Sequence, residues 1–192
     1  MKKLAVLPAL LALFVFTGAA IAGPKGTPIS FDMPNGGFCD GTQCVPASAS
    51  FDGLIDLDTS DLSNLSGTLE IGSSPYSKTD RHLTINAPGP VTDGAFERPG
   101  FEQCVAGETA PYDWYDRVSW ASTTVSLNAG SMKGSGRLSW NEWEFCVKIE
   151  VAPGEFKVEH GGFADSNLHG QLVGPKTAGD LFLNGPLPAI GP

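Results

Sequence analysis

Trp143-Glu144-Phe145-Cys146-Val147-Lys148-Ile149-Glu150-Val151 is the stretch whose reading decides the fold. Trp143, Phe145, Val147, Ile149 and Val151 take every second position, and Glu144, Cys146, Lys148 and Glu150 fill the gaps. Successive side chains of a strand point to opposite faces, so this alternation predicts a half-buried antiparallel strand. The apolar set is expected inward. Cys146 falls with the polar set, where a disulfide would staple the exterior.

Shorter copies of the pattern lie on either side. Ile55 and Leu57 alternate with Asp56 and Asp58, Leu69 and Ile71 with Thr68 and Glu70, Leu83 and Ile85 with His82 and Thr84, and Phe156 and Val158 with Glu155 and Lys157. Between Val118/Trp120 and Val125/Leu127 the apolar parity changes, which predicts a bulge or a bend. Gly-containing breaks such as Gly72-Ser73-Ser74-Pro75, Pro88-Gly89-Pro90 and Asn128-Ala129-Gly130 separate the runs. About eight to ten strands result, and helical periodicity is scarce. The expected fold is all-β, an antiparallel barrel, with a β-sandwich as the alternative. Residues 87–113 are the least regular stretch, a long loop tied down by Cys104. The Pro/Gly-rich tail from Asn184 to Pro192 is expected outside the fold.

Met1 to Ala22 has the form of an export signal. Lys2 and Lys3 precede the apolar run Leu4–Phe16, and Ala20-Ile21-Ala22 gives an A-x-A cleavage pattern. The run is short for a membrane span and contains Pro8. Cleavage leaves 192 − 22 = 170 residues, a single domain over 23–192, large enough to bury about 70% of its unfolded surface. Two lysines depart with the signal, so 12 Lys+Arg against 21 Asp+Glu becomes 10 − 21 = −11. Such a balance argues against nucleic acid and against adhesion to anionic bilayers. The chain is expected to be periplasmic or secreted, without stable membrane insertion.

Four cysteines in an exported chain point to two disulfides, with Cys39–Cys44 and Cys104–Cys146 the favoured pairing of three. The chain-entropy model gives roughly 2 kcal/mol for the short loop and roughly 4 kcal/mol for the long one. The spacings lack the C-x2-C pairs of a zinc site.

Groups that could carry catalysis are sparse. His82 is expected exposed, opposite Leu83 and Ile85, whereas His160 continues the Phe156/Val158 parity and is expected inward. No G-x-S-x-G, H-E-x-x-H or phosphate-loop motif occurs. Asp56-Leu57-Asp58-Thr59-Ser60-Asp61 resembles a calcium loop only superficially. Counted from Asp56, the sixth position is Asp61 rather than Gly and the twelfth is Gly67 rather than Glu. These acids read as the wet end of a strand entering a turn. Asn64-Leu65-Ser66 is a glycosylation sequon. Trp114, Trp120, Trp140 and Trp143 fall within thirty residues, either as packing or as the lining of an apolar or carbohydrate site. A pair among the 21 acidic residues could serve a hydrolase, yet nothing selects the pair.

The order of segments resembles the YceI-like, polyisoprenoid-binding family of exported bacterial proteins. The resemblance begins at Phe51-Asp52-Gly53-Leu54-Ile55-Asp56-Leu57-Asp58, continues through Gly67-Thr68-Leu69-Glu70-Ile71 and Asp80-Arg81-His82-Leu83, and returns at Val118-Ser119-Trp120 and Gly136-Arg137-Leu138-Ser139-Trp140. It spans roughly residues 51–151. Departures are the order Asp80-Arg81 with no spacer before His82, Asn141-Glu142 in place of an H-G-x-T turn, and the cysteines. The resemblance implies a lipocalin-like barrel holding an isoprenoid-like lipid and neither enzymatic activity nor a cofactor. The alternating apolar residues Leu69, Ile71, Leu83, Phe145, Val147, Ile149, Phe156 and Val158 would line its interior. The competing expectation is a disulfide-stapled structural or adhesion module with a packed core.

Overall fold

The computed structural model describes residues 26–72, 78–97 and 113–191. The signal region, Cys104 and the middle of the expected long loop lie outside them. Among the described residues every regular element is a strand: β1 (Thr27–Met33), β2 (Asn35–Cys39), β3 (Cys44–Asp56), β4 (Asp61–Ile71), β5 (Lys78–Asn86), β6 (Thr92–Glu97), β7 (Asp113–Ala129), β8 (Met132–Ala152), β9 (Glu155–Val173), β10 (Ala178–Gly185) and β11 (Ala189–Ile190).

These eleven strands make a closed antiparallel barrel of eight strand positions. Three positions are occupied by broken strands. β1 and β2 pair with successive parts of one edge of β3, β5 and β6 with successive parts of one edge of β7, and β11 and β10 with β1 and β2. Each break falls at proline: Pro34, then Pro88 and Pro90, then Pro186 and Pro188. Proline has no N–H for the ladder, so a strand through it is interrupted there. Taken by position, each strand pairs with the next in sequence, and β10 closes the ring on β2. The lipocalin-like barrel is therefore of the up-and-down kind, and the sandwich alternative falls.

Two stretches expected to be irregular belong to the sheet. The tail joins the sheet, with Ile190 opposite Ile29 and the Gly191 amide donating to the Pro28 carbonyl. The irregular stretch 87–113 contains β6, which pairs with β7 from Thr92↔Ser122 to Glu97↔Arg117.

The barrel is filled by its own side chains. Phe31, Met33, Phe38, Phe51, Leu69, Leu83, Met132, Leu138, Leu168 and Leu181 are all buried within one cluster. Phe31 stacks on Phe51 at 4.8 Å between ring centroids and meets the edge of Trp140 at 5.6 Å. An eight-stranded barrel is just wide enough to be filled in this way. Each such burial stabilises by roughly 1.5–3 kcal/mol relative to exposure.

β7, β8 and β9 are longer than the barrel. β9 pairs with β10 only from Ser166 onward, while its pairing with β8 continues to Glu155. Residues 141–152 of β8 therefore run beyond the barrel wall, with 113–120 of β7 on one side and 155–165 of β9 on the other. β6 adds a fourth strand. The Pro153-Gly154 turn closes the far end of this extension, Gly154 taking φ 77° and donating its amide to Glu150 Oε1 at 2.8 Å.

Candidate functional site

The extension carries most of the residues singled out from sequence, and its faces are fixed by register. β7 and β8 pair without a shift from Ala129↔Met132 to Asp113↔Lys148, and β8 and β9 without a shift from Lys133↔Val173 to Glu150↔Phe156. Alternation is thus unbroken along β8. Met132, Leu138 and Trp140 pack on the barrel core, so Glu142, Glu144, Cys146 and Lys148 continue the inner face. Trp143, Phe145, Val147 and Ile149 continue the outer one, and Val151 falls at the register shift beside the β8–β9 turn.

This reverses the expected orientation. The strand forms as expected, but its apolar parity belongs to the outside of the barrel wall. Cys146 and Lys148, expected on the wet side, are fully buried; Val147, on the other parity, is buried as expected, so both faces are covered at this point of the strand. The parity change in β7 has the same origin. No bulge separates Val118/Trp120 from Val125/Leu127; the apolar residues change faces as the strand leaves the barrel.

The expected lining residues consequently divide into three groups. Leu69, Ile71 and Leu83 are in the packed barrel core. Phe145, Val147 and Ile149 are on the outer face of the extension. Phe156 and Val158 share the inner parity with Ser166 and Leu168, on the opposite face from Phe145. His160 follows them on that face but is exposed, as is His82. Leu57, expected to alternate with Ile55, lies in the turn after β3 and is exposed.

The inner face of the extension is mixed, with Arg117, Glu142 and Glu144 near the barrel and Cys146, Phe156 and Val158 beyond them. Arg117 bridges β6 and β8, its Nε 2.9 Å from Glu97 Oε2 and an outer guanidinium nitrogen 3.5 Å from Glu144 Oε2. Where this face meets the barrel mouth, an open cleft of about 570 Å³ is lined by Asp93, Ala95, Trp140, Glu142 and Leu187 among others. Trp140 forms its inner wall and contacts Phe31 behind it.

The outer face is aromatic. Phe96 and Trp120 lie 6.1 Å apart, and Trp143 meets Phe163 edge-on at 5.0 Å. Two glycines make room for rings: a Cβ on Gly94 would lie 2.4 Å from Trp120, and one on Gly161 would lie 2.5 Å from Phe145. Phe96, Trp120 and Phe163 remain 51%, 37% and 49% exposed. On the same face Trp143 Nε1 and Asp165 Oδ1 are buried without a hydrogen-bond partner. Of the four Trp singled out from sequence, Trp120 and Trp143 are on this face and Trp140 packs inward on the core; the side chain of Trp114 lies outside those described. Phe96 and Phe163, which sequence reasoning misses, meet Trp120 and Trp143 only through cross-strand register.

The cysteine expectation holds for the short pair. Cys39 and Cys44 are joined across the β2–β3 hairpin, as in proteins of oxidising compartments. Cys146 is disulfide-bonded as well, while its expected partner Cys104 lies outside the described residues. The acidic run 56–61 is the β3–β4 turn, where Asp56 Oδ1 accepts from the amides of Asp58 and Thr59 at 2.9 and 3.3 Å. Asn64 of the sequon is exposed at φ 56° beside a register shift in the β3–β4 ladder.

Fold and surface together define a packed, closed β-barrel that carries a sheet extension with an aromatic outer face. Comparison of the chain with family models, with curated proteins and with solved structures finds no match.

Proposed function

We propose that this protein is an exported, non-enzymatic binding module for an apolar, isoprenoid-like lipid. The barrel serves as a packed scaffold, and the apolar chain is taken up on the aromatic outer face of the β6–β9 extension. The observation that carries this reading is the gathering of Phe96, Trp120 and Phe163, all partly exposed, on one face of the extension; on the barrel Phe31, Phe38 and Phe51 are buried almost completely and Phe182 stands exposed by itself. A contiguous exposed apolar patch marks an interaction site. The lipid class comes from the resemblance to the YceI-like family, and export from the Met1–Ala22 pattern, with the Cys39–Cys44 bond in keeping with it. A formal charge of 10 − 21 = −11 after loss of Lys2 and Lys3 disfavours docking on anionic bilayers, so single lipid molecules are the expected ligands. The interior binding implied by the resemblance gives way to surface binding because the interior is occupied.

A second reading has its own support. The filled barrel core is what a disulfide-stapled structural or adhesion module would need, with no small ligand at all. Titration with farnesol, followed by intrinsic Trp fluorescence, distinguishes the two. Saturable binding by the wild type, weakened at least tenfold in Phe96→Ser/Trp120→Ser, supports the lipid module. No saturable binding favours the structural module. Binding that survives the surface changes but is lost in Leu69→Ala returns the ligand to the interior.

A further inference from the structure

The barrel end opposite the extension carries the β2–β3, β7–β8 and β9–β10 turns and the beginning of β5. Between them lies a cleft of about 600 Å³, within the range of small-molecule sites, lined by Asp40, Arg81, Met132, Lys176 and Thr177 among others. Arg81 shares its parity with Leu83 and Ile85 and pairs with Leu69, so β5 delivers it to the inner side of the wall where the apolar core runs out. Its Nε is buried and without a hydrogen-bond partner, and so is Thr177 Oγ1. The residue as a whole is half-buried rather than closed off.

The cleft brings two cations together. The chain has 12 Lys+Arg against 21 Asp+Glu, and Arg117 and Lys157 are matched to carboxylates. Arg81 and Lys176 make no ion pair among the described residues. The one acid named in the cleft, Asp40, directs Oδ1 to its own turn, accepting from Thr42 N, Thr42 Oγ1 and Gln43 N at 2.8, 2.7 and 2.9 Å. A buried guanidinium nitrogen left without an acceptor is costly, and a planar fork of donors matches an oxyanion.

We propose that this cleft binds a phosphate-sized oxyanion between the Arg81 guanidinium, the Lys176 ammonium and the Thr177 hydroxyl. Met132 supplies an apolar wall, and Gly174 lets the β9–β10 turn close over it, since a Cβ there would lie 2.9 Å from the Met132 side chain. The site is independent of the aromatic face and of the lipid reading. Free phosphate and the headgroup of a phosphorylated amphiphile share this chemistry.

Calorimetric titrations of the purified protein with inorganic phosphate and with dodecyl phosphate separate the two sources. Saturable phosphate binding is expected, weakened at least tenfold by Arg81→Gln and severalfold by Thr177→Val. Lys157→Gln, on the distant extension, should leave it unchanged. Dodecyl phosphate binding more than tenfold tighter assigns the headgroup, and equal affinity assigns the free anion. Absence of saturable binding for both, or binding indifferent to Arg81→Gln, overturns the proposal. Should Arg81→Gln not fold, the Arg81 Nε resonance of the wild type decides: it shifts on phosphate addition, or the site is refuted.

Discussion

Phe51 and Phe145 are the same side chain in two surroundings. Phe51 is 1% exposed and stacked on Phe31 within the barrel. Phe145 is half-buried on the outer face, its ring lying over Gly161. Phe51→Ala removes a ring that the closed wall cannot move in to replace, and should cost about 3–5 kcal/mol. With about 2–4 °C per kcal/mol for a chain of this size, the melting temperature should fall by on the order of 10 °C. Phe145→Ala, losing partial burial only, should cost about 1 kcal/mol. Thermal melts of both variants check the difference. Equal losses would place Phe145 in a sealed core and contradict the outer-face assignment.

At the scale of elements, the alternation in Trp143–Val151 is enough to reveal a strand, and two half-cystines five positions apart are enough to reveal a hairpin bond. The face of the strand is not legible. Period two says which residues share a side, and only the register with neighbours says which side adjoins the core. Leu138 and Trp140 lie inside, whereas Trp143 and Phe145 lie outside, so the apolar parity changes between Trp140 and Trp143 with no irregularity in the ladder. The matching change in β7 is visible in the sequence, where it reads as a bulge. The oxyanion cleft is equally hidden, because Arg81 and Thr177 are 96 positions apart and meet only when the barrel closes. The extension also depends on a link the sequence does not disclose, Arg117 between Glu97 and Glu144. These side chains are 38–49% exposed, so Arg117→Ala should cost less than about 1 kcal/mol overall. Its effect should be local: amide exchange across Thr92–Glu97 quickens while β3 and β4 keep their protection. Unchanged exchange in β6 would show that backbone pairing alone holds that strand.

For the whole molecule, a closed ring and an open flap predict two levels of stability. Barrel strands pair on both edges and enclose one apolar cluster. Among the described residues, 155–165 of β9 and the outer edge of β6 pair on one side only. Cooperative units with fewer buried contacts open first. Limited proteolysis should therefore cut around the Pro153-Gly154 turn before any of the barrel turns, leaving a resistant barrel. First cleavage at Gly174–Thr177 would reverse that order.

The pairing of Ile29 with Ile190, and of Gly191 with the Pro28 carbonyl, brings the start and finish of the ring side by side. The order in which the strands are threaded is then separable from the shape they make. A circularly permuted chain, with a short flexible peptide joining Gly191 to Gly26 and new ends opened at Pro153-Gly154, should reach the same barrel. Its near-ultraviolet dichroism should match the parent's, and its melt should remain cooperative, since no seam in the wall has been cut. A permuted chain that stays molten would show that the wall needs its threading order as well as its pairings.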